Sequence, residues 1–156
     1  MHHICRYLPL VILVLAGCAS SPTSKLTAEY PEEQARVAKR IEEILRAAEK
    51  PDFDQLESYH AYGPKFTKFA PEAPNRMDAI AAREGERTGL ARLNGLSMRA
   101  DNLKIDILGN VAIATCVLDS TFKKGNESLE KQFRTTLIFV KDLGEWKITH
   151  EHLSLR

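Results

Sequence analysis

The chain has 156 residues and a mass of 17.5 kDa, the size of one domain. Hydrophobic residues make up 44% and charged residues 28%, proportions that exclude a disordered, collagen-like or multi-span membrane chain. With 22 basic against 21 acidic residues the net charge is +1, so no strong basic field exists to hold nucleic acid, and that partner is not expected.

The chain opens on a short polar stretch, MHHICRY, followed by an apolar run over Leu8–Gly17. Ten residues are too few to cross about 30 Å of hydrocarbon as a helix, which needs about 20. The length suits the core of a signal peptide instead. The run ends in Leu15-Ala16-Gly17-Cys18, which resembles the lipobox of bacterial lipoproteins. That resemblance implies cleavage before Cys18, lipid on its thiol and a place in the bacterial cell envelope. Ala19 stands where an Asp often retains Gram-negative lipoproteins at the inner membrane, so the outer membrane is favoured. Residues 1–17 are therefore read as signal peptide, and 18–30, rich in Ser, Thr and Pro, as lipidated Cys and flexible tether. Residues 31–156 remain as the domain. Cys5 leaves with the signal, so Cys116 is alone in the domain and no disulfide is available there. Its apolar strand-like surroundings suit a buried thiol better than a nucleophile.

Pro31-Glu32-Glu33 opens a first helix, with Pro in the first turn and carboxylates at the positive end of the dipole. Ala35, Ala38, Ile41, Ile44, Leu45 and Ala48 recur at helical spacing, and Pro51 ends the helix near Lys50. Asp52 and Gln55 suggest a capped second helix over Phe53–Tyr59, broken by Gly63-Pro64. Phe66–Phe69 alternates like a short strand. A third helix is expected from a cap at Asn75 to Asn94, weakened by Gly85 and Gly89. Four strands follow, Ser97–Leu108, Val111–Phe122, Leu129–Lys141 and Glu145–Leu155. Their short turns make neighbours antiparallel, and strands this long must twist or bend. Helices first and strands after give an α+β fold, with a curved antiparallel sheet of four to five strands packed on three helices.

The closing stretch, Arg134–Val140 followed by Gly144–Ser154, resembles the end of SnoaL-like domains of the nuclear transport factor 2-like superfamily. His60–Phe69 is similar to one bacterial subgroup. The resemblance covers about Glu32–Arg156. It implies a cone of curved sheet closed by helices, with a pocket inside, and a homodimer. The fold hosts isomerases, cyclases, dehydratases and non-enzymes, so it does not name an activity.

Few polar residues could carry chemistry. His60 could be a general base near neutral pH and Tyr62 a hydrogen-bond donor at the pocket mouth, although packing of Tyr62 and solvation of His60 is the favoured reading. Asp119 shares parity with Val117 and is a second candidate base if it points inward. Arg134 would be a pocket cation if its face is concave, pairing with Glu84, Asp119 or an anionic ligand, and a surface charge if it is convex. His150 and His152 share parity with Trp146 and Ile148, so a regular strand would put all four on one face. With His60 they could form an open zinc site. Packing in the sheet or at a dimer seam is favoured, and neither metal nor cofactor is expected.

Two functions follow. One is a membrane-anchored envelope lipoprotein whose domain binds a small apolar or anionic ligand, or assembles, without catalysis. The other is a proton-transfer enzyme, an isomerase, cyclase or dehydratase, working in the pocket. The segment Tyr62–Phe69 has no carboxylate to match the base of isomerase-like members, which favours the first.

Overall fold

In the computed structural model, Pro31 takes the first turn of helix α1 (Pro31–Glu49), with Glu32 and Glu33 beside it. The structure describes residues 24–125 and 127–156. The expected signal segment and Cys18 lie outside them. Residues 24–30, expected as tether, hold a turn in which Ala28 N–H donates to the Ser24 carbonyl at 3.0 Å, and Tyr30 packs against the core. The α1 stripe is centred on Val37, Ile41, Ile44 and Ala48, while Ala35 is exposed. Val37 buries more apolar surface than Ala35, and the helix turns accordingly.

Helix α2 (Phe53–Ser58) is capped as expected, with Asp52 Oδ1 accepting from Gln55 N–H at 3.1 Å. Strand β1 (Thr67–Phe69) follows. Helix α3 (Ala79–Leu90) is shorter than expected and starts from Asp78, whose Oδ1 accepts from Ala81 N–H at 2.9 Å. Asn75 is not its cap, because Met77 is held by β1, exchanging both backbone bonds with Lys68.

Four long strands complete the chain: β2 (Asn94–Leu108), β3 (Val111–Lys124), β4 (Glu127–Asp142) and β5 (Glu145–Leu155). The sheet order is β1-β5-β4-β3-β2. The long strands pair antiparallel, as expected, but β1 joins the edge of β5 in parallel, with Lys68 opposite Glu151. The sheet is therefore mixed: α3 and three strands separate β1 from β5 in the chain, so no hairpin forces that pair antiparallel. Gly109 (φ 71°) and Gly144 (φ 88°) sit in the tight turns, where positive φ carries no Cβ penalty.

Irregularities bend the sheet into a cone. The β2–β3 register shifts twice, and β5 carries an extra residue, Thr149, between Ile148, which faces Phe139, and His150, which faces Ile138. Helix α1 packs against the concave face. Val37, Ile41, Phe66, Ala112, Ala114, Phe139, Trp146 and Ile148 form the core at the narrow end. Trp146 Nε1–H and Lys141 Nζ both donate to Glu33 at 2.8 Å and close that end.

Candidate functional site

Beyond this core, the concave face and helices α1 and α3 enclose a cavity of about 570 Å³. That volume is typical of small-molecule sites. Strand alternation supplies its walls: Cys116, Leu118, Ser120 and Phe122 from β3, and Lys131, Phe133, Thr135 and Leu137 from β4. Gly85 and Gly89 of α3 line the opposite side. Beyond weakening the helix, Gly89 leaves open space at its Cβ position, while a Cβ at Gly85 would press on Met77 Cε at 3.1 Å, so Gly85 makes room for that side chain.

A buried ionic cluster stands in this apolar wall. His60, just past α2, is placed by backbone bonds between Ala61 N–H and the Ile148 carbonyl at 2.7 Å and between Ile148 N–H and the Tyr59 carbonyl at 2.9 Å. Its Nδ1–H donates to the Leu56 carbonyl at 2.8 Å, and its Nε2 faces Glu151 Oε1 at 2.6 Å. Lys68 Nζ lies 2.5 Å from both Glu86 Oε1 and Glu151 Oε2. Tyr62 O–H donates to Glu86 Oε2 at 2.9 Å, and its ring stacks on His60 with centroids 4.8 Å apart. Glu57 of α2 binds Arg83 and Arg87 of α3, which fixes the helix that carries Glu86.

The chemistry of the cluster follows from these contacts. Burial opposes charge on His60, but the hydrogen bond to Glu151 and the charges of Glu151 and Glu86 outweigh it, and its pKa is raised. Burial likewise opposes charge on Glu151, but Lys68 and His60 outweigh it and hold the carboxyl well below the usual range. Lys68 is raised, its burial more than offset by Glu151 and Glu86. Tyr62 is raised by burial and by the Glu86 charge, so its phenol stays neutral. His60 is thus an imidazolium with both nitrogens donating, and two cations face two anions. Burial pushes the Cys116 thiol up to about 11, consistent with an unreactive side chain.

His60, Glu86 and Glu151 offer ligand atoms within 4.8 Å of one another, a spacing that suits a metal ion. The Lys68 ammonium already bridges the two carboxylates and supplies the positive charge a metal would bring. The donor types suit a metal, but the centre occupied by Lys68 does not fit a resident one.

The other candidates are elsewhere. Asp119 is on the convex face, bonded to Arg99 at 2.7 Å and Gln132 at 2.8 Å, which corrects its inward placement. Its neighbours Leu118 and Ser120 take the inward positions. Arg134 is also convex and exposed, donating to the Leu155 carbonyl at 3.0 Å, so it is no pocket cation. Glu84 is exposed, and Glu86 is the α3 carboxylate that turns inward. His150 and His152 are convex too, next to Phe69, with His150 Nδ1 2.7 Å from Thr67 Oγ1. The three histidines cannot share a ligand through the sheet. The shared face expected for Trp146, Ile148, His150 and His152 is broken at Thr149: the bulge turns His150 and His152 out and Glu151 in. Tyr62 backs His60 and does not line the cavity.

Lys68, Glu86 and Glu151 were missed by sequence reasoning. Alternation with Phe66 and helical spacing from Ala82 were signals for Lys68 and Glu86; Glu151 had none, since regular alternation points it outward.

Solved structures similar to this chain share the fold. A proposed dehydratase of the NTF2-like family from Streptomyces avermitilis superposes with a TM-score of 0.74 at 17% identity, covering 81% of this chain and 99% of its own. An NTF2-like superfamily protein from Salmonella enterica gives 0.72 at 17% identity, covering 80% and 92%. The association domain of C. elegans CaMKII gives 0.67 at 22% identity, covering 80% and 96%. Identities this low show the fold alone, and a proposed enzyme stands beside an association domain. No curated protein matches the chain. The SnoaL-like domain family matches residues 37–156, most of the chain and the whole of the sheet and cavity, and the chain belongs to that family.

Proposed function

We propose that this chain is a lipid-anchored protein of the bacterial envelope whose SnoaL-like domain, as a homodimer, binds a small, largely apolar molecule without transforming it. The observation that carries the reading is the pairing of the cavity with a saturated ionic cluster. The wall is mostly aliphatic and aromatic, and the cluster's charges are spent on one another. A proton-transfer enzyme needs a base aimed at its substrate. His60 donates through both nitrogens, and Glu86 accepts from Tyr62 and Lys68. Neither is free to take a proton from a ligand.

The anchor rests on the apolar run before Leu15-Ala16-Gly17-Cys18. Among the described residues, no helix is long and apolar enough to cross a membrane. Self-association rests on the convex face, where Phe69 is 43% exposed beside His150 and His152, and on the likeness to association domains.

The test fills the cavity. Gly89 lines the cavity and a Cβ there would meet nothing within 4 Å, so Gly89→Leu adds a side chain at the cavity wall with no obstruction at its Cβ. The wild-type chain is expected to bind N-phenyl-1-naphthylamine saturably, with fluorescence enhancement, and Gly89→Leu to lose at least tenfold in affinity while keeping its circular dichroism. No saturable binding, or equal binding by Gly89→Leu, would overturn the cavity as a site. Turnover of a bound compound would overturn the non-catalytic reading.

A further inference from the structure

We propose that the ligand is a single-chain amphiphile with an anionic head, held tail-first with its head against Lys131 on the cavity rim. The inference rests on the cavity reading above and deepens it.

It follows from where charge is left over. Among the described residues, six charged side chains line the cavity: His60, Lys68, Lys131, Glu72, Glu86 and Glu151. Four of them form the buried cluster, two cations against two anions, each within hydrogen-bond distance of an opposite charge. An anion pushed to that depth would meet two carboxylates and no available cation. Losing its hydration there, it would have nothing to replace it. An alkyl tail passes the same wall without breaking a bond, because the cluster is already satisfied.

Lys131 and Glu72 differ. Lys131 Nζ is 3.5 Å from Glu72 Oε1, and the side chains are 37% and 85% exposed. Lys131 comes from β4, in the cavity-facing row with Phe133, and Glu72 comes from the loop between β1 and α3, so the pair spans the rim. A pair this exposed is weak, and Glu72 can return to water at little cost. Lys131 cannot leave so freely: its ammonium lies 6.0 Å from the Phe122 ring, on the same wall. A carboxylate or similar head at the opening would exchange places with Glu72, make a charge-assisted bond to Lys131, and send its chain down the aliphatic wall. A neutral head would gain no such bond, and a cationic head would be left with Glu72 alone, facing Lys131.

The experiment displaces N-phenyl-1-naphthylamine from the purified, detergent-free chain with decanoate, decanol and decylamine. Wild type is expected to prefer decanoate over decanol by about fivefold and to bind decylamine weakest. Lys131→Met should bring decanoate down to the level of decanol and leave decanol unchanged. Glu72→Gln, which removes the competing carboxylate, should tighten decanoate. A decanoate preference that survives Lys131→Met, or decanoate no better than decanol in wild type, would overturn the rim assignment while leaving the cavity a binding site. Absence of naphthylamine binding would overturn both.

Discussion

Glu151 accepts from His60 and Lys68 at once, and both donors are buried with it. Replacing it by Gln keeps the shape but leaves an imidazolium and an ammonium with Glu86 alone. Removing one member of a buried ionic set costs about 3–5 kcal/mol, because the charges left behind are out of water. Glu151→Gln is therefore expected to lose about 3 kcal/mol in urea unfolding. Equal stability would remove the cluster from the energetics of the fold. The pH dependence follows from the same contacts. The folded His60 pKa is raised above 6.5, so its contribution is full below 6.5 and is lost as pH rises through the raised value. The folded Glu151 pKa is lowered below 4.5, so its contribution is full above 4.5 and is lost as pH falls through the lowered value. Wild-type stability should be highest between 4.5 and 6.5 on account of this pair and fall on both sides. In Glu151→Gln both flanks should flatten.

Helix α3 gives up helical stability where it faces the cavity. Gly89 has open space around its Cβ position and a backbone any residue can adopt, so Gly89→Ala should stabilise the domain by about 0.5–1 kcal/mol, read as a higher Tm. An unchanged or lower Tm would mean that the helix needs Gly89 for another reason. This helix also shows what was legible in sequence. Its existence and the weakness of its glycines could be read; its start could not, because Asn75 and Asp78 are both capping residues and only the β1 pairing of Met77 decides between them. Strands β3 and β4 came through cleanly, since a period of two survives over their whole paired length. Strand β5 marks the limit. One extra residue, Thr149, reverses every side chain after it, and nothing in the residue types announces a bulge. The candidate site failed at the same place. Regular alternation puts His150 and His152 on one face with Trp146 and Ile148, and the bulge separates them. On β3 and β4 alternation holds, but it does not say which row faces the hollow: Asp119 is a candidate base only if inward and Arg134 is open between the two faces, and both prove convex.

At the scale of the whole molecule, the proposed anchor and the proposed binding cavity would make one device, a binding domain held near a membrane. Cys18→Ser is expected to move the protein from the membrane to the aqueous fraction and to remove the acyl mass from its N-terminal peptide. A wild-type protein found in the aqueous fraction with an unmodified Cys18 would dismiss the anchor and leave the domain's binding untouched. The sheet order has a consequence in time. Strand β5 is made after the four strands β1–β4, yet it lies inside the sheet between β1 and β4, so both strands it pairs with precede it. His60 and Glu151 are 91 residues apart in the chain, which at about 5–20 residues per second is roughly 5–18 s of synthesis. For that interval the imidazole and ammonium are in water, Trp146 is absent from the core, and the cavity lacks a wall. Closure waits on β5, so folding of this domain is a late, non-local event, and the emerging chain stays open and threadable until β5 has been made.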